Sequence, residues 1–208
     1  MTDGLTAAGV LLVIGPLAGA ACGFYPPMFR VWTVPRDQHL ALVRAHHLAW
    51  ALINAGFTIA TVVTAAGLAV LAGSVDADDG SRAVLATAAV VYAIAGALWC
   101  AVLAIRARTT PALADLVVAG TPTEPAEILL GAALGGLFGA FVLATGGALV
   151  ALGLTLTANG DVAPLAGWAA SLVAALAIGG YLAFGDMLPA VLYLPTLLVG
   201  FALLLGWS

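Results

Sequence analysis

Apolar residues come in runs of about twenty along the whole chain, broken at short polar or proline-bearing points. Wound as an α-helix, a run of that length covers the roughly 30 Å hydrocarbon thickness of a bilayer. The pattern predicts six helices at roughly 5–25, 47–73, 83–107, 126–156, 164–184 and 188–207. Only "FGDM" separates the last two, so they form a tight hairpin or leave the final segment re-entrant. Between the first and second runs, "PPMFRVWTVPRDQHLALVRA" (26–45) mixes basic, aromatic and aliphatic residues and predicts a short amphipathic segment lying on the membrane surface. The expected fold class is all-α: a polytopic integral membrane helix bundle forming one domain over residues 1–208.

Composition agrees with the pattern. Hydrophobic residues make up 63% of the chain and charged residues 8%, whereas a soluble domain carries about 25% charged side chains. The mean hydropathy is +1.15. The lipid bilayer is therefore the expected partner, a multi-pass position in the cell membrane the expected location, and no basic patch suits nucleic acid. The first run follows "MTDG", with no basic residue before it and no clear cleavage site after it, so it reads as a retained helix. The chain has no lysine, which excludes a retinal Schiff base or a pyridoxal phosphate linkage.

Arginine placement predicts an orientation. Arg30, Arg36 and Arg44 lie between the first and second runs, and Arg106 and Arg108 follow the third; the loop "GSVDADDGSR" holds three aspartates and Arg82. Five arginines against one put the first set in the cytoplasm and both termini outside. Tyr25, Phe29 and Trp32 then read as an interfacial aromatic belt.

Small residues predict close helix approach. Gly131, Gly135, Gly139, Gly146 and Gly153 fall within a stripe about 80° wide at 100° per residue. Gly15, Gly19 and Gly23 form a shorter version in the first helix, beside Pro16. Two internal similarities, from Phe57 and Phe138 in one case and from Gly15 and Gly131 in the other, pair the helices differently, so a duplication carries no argument.

The candidate chemistry gathers at the arginine-bearing end. His47, Asn54, Thr58 and Thr61 fall within about 60° of one another on the second helix. His47 is expected to face the bundle interior and to be partly desolvated, while His46 points about 100° away and His39 is solvated. Cys22, Cys100, Tyr25, Trp99, Tyr181 and Asp186 sit at a similar depth. Each has a plainer role: cysteines as small buried hydrophobes, aromatics as belt residues, and Asp186 as the N-cap of the last helix with Pro189 in its first turn.

Three functions are compatible with this pattern. First is a small-solute transporter or channel whose polar stripe lines a path; its weakness is the lack of a convincingly broken helix. Second is an accessory or assembly subunit, in a homo-oligomer or larger membrane complex, that uses the glycine stripe for contact. Third is a redox or metal protein in which His46, His47, Cys22 and Cys100 bind copper or haem, although both histidines share one helix. No phosphate loop, His-Glu-x-x-His or Cys-x-x-Cys occurs.

Overall fold

The computed structural model describes residues 3–160 and 164–206, the side chains of Pro27, Arg36 and Asp37 aside. The chain is an all-α bundle. Its long helices are α1 (Asp3–Gly23), α4 (His47–Ser74), α5 (Asp79–Val118), α6 (Glu124–Asn159) and α7 (Pro164–Phe184). These five are long and apolar enough to cross a membrane. A shorter apolar piece follows, made of a 3-10 turn (Pro189–Tyr193) and α8 (Leu194–Leu204). The connection after α1 folds into α2 (Pro26–Phe29), a 3-10 turn (Arg30–Trp32) and α3 (Arg36–Ala45).

The six apolar elements close into a ring in which α1 packs on α4, α4 on α5, α5 on α6, α6 on α7, α7 on α8, and α8 back on α1. Neighbours run antiparallel. At one end Trp50 Nε1 donates to the Arg106 carbonyl at 3.1 Å and Arg44 pairs with Asp115 at 2.9 Å. At the other, Ser81 Oγ donates to Asn159 Oδ1 at 3.0 Å, and Gly4 lies against Ser74. The arginine-bearing end is thus physically distinct from the end that carries the aspartate loop.

The core has two compartments stacked along the ring axis. Toward the aspartate loop it is aliphatic, with Leu12, Leu68, Leu85, Leu149, Leu152 and Leu156 buried. Toward the arginines it is aromatic, with Trp50, Phe57, Trp99, Phe141 and Tyr193 buried. Chain direction explains the division, because the aromatic residues fall in the first half of α4, near the middle of the long α5 and α6, and at the start of the final segment.

Several sequence expectations shift. Helix α5 runs to Val118 instead of 107 and α6 starts at Glu124, so each is about 55–60 Å long by helical rise, beyond the hydrocarbon thickness. The extra length leaves the apolar zone at Arg106 and continues as a polar extension, which α3 holds through the Arg44–Asp115 ion pair. The segment 26–45 is not a single amphipathic helix: it folds back on itself, burying Met28, Val31, Leu40 and Val43. The last predicted helix, 188–207, is broken, and its residue 207 lies outside the described residues.

The break has a local cause. Gly185 closes α7, its N–H donating to the Tyr181 carbonyl at 2.8 Å, with φ of +73° that a side chain would resist. Asp186 Oδ1 then accepts from the Met187 N–H at 2.8 Å, and Leu188 is extended. Pro189 sets the first turn of the 3-10 piece, whose cap residue is Leu188 and not Asp186. The capping role expected of Asp186 is thereby replaced by a local turn.

Candidate functional site

A cavity of about 680 Å³ opens at the arginine-bearing end. One wall is Gly23, Phe24, Phe29, Trp32 and Thr33; a second is Phe57 of α4 with Trp99, Val102, Leu103 and Arg106 of α5. Leu134, Gly135 and Phe138 of α6 form a third, and Asp186–Ala190, the irregular stretch before α8, completes it. Phe24, Phe29, Leu188 and Asp186 are exposed and make its rim. The non-helical backbone of this stretch lines the cavity.

Arg106 is the positive charge among the described residues of the cavity wall. Its guanidinium carbon stands 5.7 Å from the Trp32 ring centroid and 5.3 Å from that of Trp50, within cation–π range of both. The indoles are themselves fixed: Trp50 Nε1 donates to the Arg106 carbonyl at 3.1 Å and Trp32 Nε1 to the Gly23 carbonyl at 3.1 Å. Among the described residues no hydrogen bond or ion pair takes up the guanidinium N–H groups. Asp186, across the same cavity, makes no ion pair with it. A guanidinium offers five donors in one plane, and contact with ring faces consumes none of them.

Trp99 is 2% exposed and stacks on Phe141 at 5.2 Å and 13°, with Phe138 at 5.5 Å. Its indole N–H lies beside the Tyr193 hydroxyl without hydrogen-bonding geometry and is buried without an acceptor. Tyr181 stands edge-on to Phe138 at 6.0 Å and does not line the cavity. Tyr25 is exposed at the start of α2.

The expected polar stripe is real in part. Asn54, Thr58 and Thr61 share one face of α4, but their groups are spent on their own helix: Asn54 Nδ2 donates to the Trp50 carbonyl at 2.7 Å, Thr58 Oγ1 to that of Asn54 at 3.0 Å, and Thr61 Oγ1 to that of Phe57 at 2.8 Å. The Thr61 and Tyr193 hydroxyls are also 2.7 Å apart and hydrogen-bonded. None of the three lines the cavity.

His47 does not belong to it. It is exposed at the first turn of α4, as is His46 at the α3–α4 junction, because the chain leaves the bundle there. His39, expected in solvent, is instead half-buried: its Nδ1 lies 3.0 Å from the Val31 carbonyl and its ring meets Trp50 edge-on at 5.6 Å. The fold-back of 26–45 causes this exchange. The two thiols also stay apart, Cys22 against Gly56 and Cys100 beside Thr58, positions about 200° apart on α4. Among the described residues no three His, Cys, Asp or Glu side chains converge.

Two of the ten sequence candidates, Trp99 and Asp186, line the cavity, and its central charge, Arg106, was read only as a topology marker. The glycine stripe divides in the same way. Side chains at Gly139, Gly146 and Gly153 would collide with Tyr181, Ile178 and Ser171 of α7, whereas Gly131 and Gly135 meet nothing within 4 Å and Gly135 faces the cavity.

Comparison with protein-family models, curated proteins and solved structures finds no match to this chain, so its function rests on the geometry of the cavity.

Proposed function

We propose that the protein is a small-solute transporter of the cell membrane, with the aromatic cavity as its solute site on the cytoplasmic face. The observation that carries this reading is the broken final segment, where extended and 3-10 backbone replaces helix and lines a cavity that also holds a stacked arginine. Discontinuous helices at a binding site are a recurring construction in carriers, since they let one half-segment move against the other. The Thr61–Tyr193 hydrogen bond then closes the route toward the aliphatic compartment, and movement of the 3-10 turn opens it. The spent hydrogen bonds of Asn54 and Thr58 argue against an open channel along α4.

Purified protein in liposomes, exposed to an extract of small metabolites and read by mass spectrometry, is expected to accumulate a solute class that empty liposomes do not. Gly135→Trp is the blocked control: the position faces the cavity with free space around it, so the indole fills the cavity without displacing backbone. Uptake equal to that of empty liposomes for every solute, or unchanged by Gly135→Trp, removes the transport reading.

A further inference from the structure

We infer that the cavity is built for a zwitterion with an apolar body: an acidic oxyanion against Arg106, an ammonium toward Asp186, and an aromatic or aliphatic portion among the rings between them. The inference rests on the cavity being a binding site, the premise it shares with the transport reading.

Charge arrangement is the first argument. Among the described residues the cavity is lined by one guanidinium and one carboxylate, and the two form no ion pair with each other. Arg106 lies over the rings of Trp32 and Trp50, and among the described residues no hydrogen bond or ion pair uses its side-chain N–H groups; bidentate N–H donation is the geometry that a carboxylate or phosphate matches. An oxyanion alone would satisfy the arginine but add negative charge opposite Asp186. A cation alone would do the reverse. A zwitterion answers both charges at once and leaves the cavity neutral.

The wall chemistry is the second argument. Phe24, Phe29, Phe57, Trp99 and Phe138 line the same cavity as the two charges. Rings of this kind hold an apolar body, and their faces also attract an ammonium. The volume of about 680 Å³ lies in the ordinary range for a small-molecule site and is ample for an aromatic amino acid or a phosphoethanolamine headgroup with the start of its chains. Amino acids and phosphatidylethanolamine share the recognised chemistry, an oxyanion and an ammonium a few bonds apart on an apolar body.

The test is equilibrium binding of tritiated L-phenylalanine to the purified full chain in nanodiscs of phosphatidylglycerol, which carry no ammonium. The competitors are 3-phenylpropionate, phenethylamine and lysophosphatidylethanolamine. Phenylalanine is expected to compete about tenfold or more better than either single-charge analogue, the size of one charge-assisted contact. Asp186→Asn, at an exposed position that leaves the bundle intact, should erase its advantage over 3-phenylpropionate; Arg106→Gln should erase that over phenethylamine. Displacement of phenylalanine by the lysolipid at lower concentration than by phenylalanine itself, or lysolipid binding alone, assigns the zwitterion to the lipid source. Equal competition by phenylalanine and 3-phenylpropionate with no effect of Asp186→Asn, or no binding by either zwitterion, overturns the inference. Zwitterion binding with no uptake in liposomes keeps it and removes transport.

Discussion

His39 shows how a single side chain can report on the cavity wall. Burial pushes its imidazolium pKa below the ordinary 6.5; the bond to the Val31 carbonyl works in the opposite direction, and the nearby Arg106 charge lowers it again. The carbonyl can only accept, so Nδ1 carries the proton in the neutral ring. With the folded-state value below the unfolded one, the unfolded chain binds more protons in the window below about 6.5, and stability falls as pH drops through it. The thermal midpoint of the detergent-purified protein should therefore decrease between pH 7.5 and 5.5, and His39→Gln should flatten that decrease. An identical slope in wild type and His39→Gln would show that His39 does not anchor α3.

At the scale of the helix, small residues decide which faces can meet. A Cβ at Gly146 would stand 2.6 Å from Ile178 of α7, whereas Gly147, the next residue, meets nothing within 4 Å and is exposed. Gly146→Leu should destabilise the bundle by about 1–3 kcal/mol through overpacking, with Gly147→Leu within about 0.5 kcal/mol of wild type in thermal unfolding. Equal midpoints for the two would mean that α6 and α7 are not in close contact. Ala148, on another face of the helical wheel, makes a poor control because that face is buried at 7% exposure against the aliphatic core. Caps act at the same scale: Asp78 accepts from the Ser81 N–H at 3.0 Å and starts α5, and those Ser81 contacts hold its carboxyl below the usual range.

For the molecule as a whole, the ring puts five of the six arginines and the cavity at one end, and orientation decides which compartment the cavity faces. In a variant with Cys22 and Cys100 changed to alanine, a cysteine at Asp79 is expected to react with an impermeant thiol reagent outside intact cells, and one at Thr121 is not. Both positions are exposed. Labelling of Thr121→Cys from outside would invert the orientation and place the cavity on the outer face.

By itself the sequence determined the fold class, helices long and apolar enough to cross a membrane, and the gathering of five arginines at one end. Apolar runs about as long as a bilayer is thick can satisfy their backbone only as helices, and both runs and arginines are local features that need no partner to be read. The stripe of Asn54, Thr58 and Thr61 was legible for the same reason, since helical periodicity fixes which residues share a face. Tertiary structure decided what those faces meet. It turned the Thr61 hydroxyl onto Tyr193, 132 residues away, folded 26–45 back so that His39 was covered and His47 was not, and set Arg106 between Trp32 and Trp50. None of these pairings has a sequence period. The break before α8 lay between the two: Gly185 and Pro189 were visible as punctuation, yet only the ring of helices around them made the irregular backbone a cavity wall in place of a surface loop.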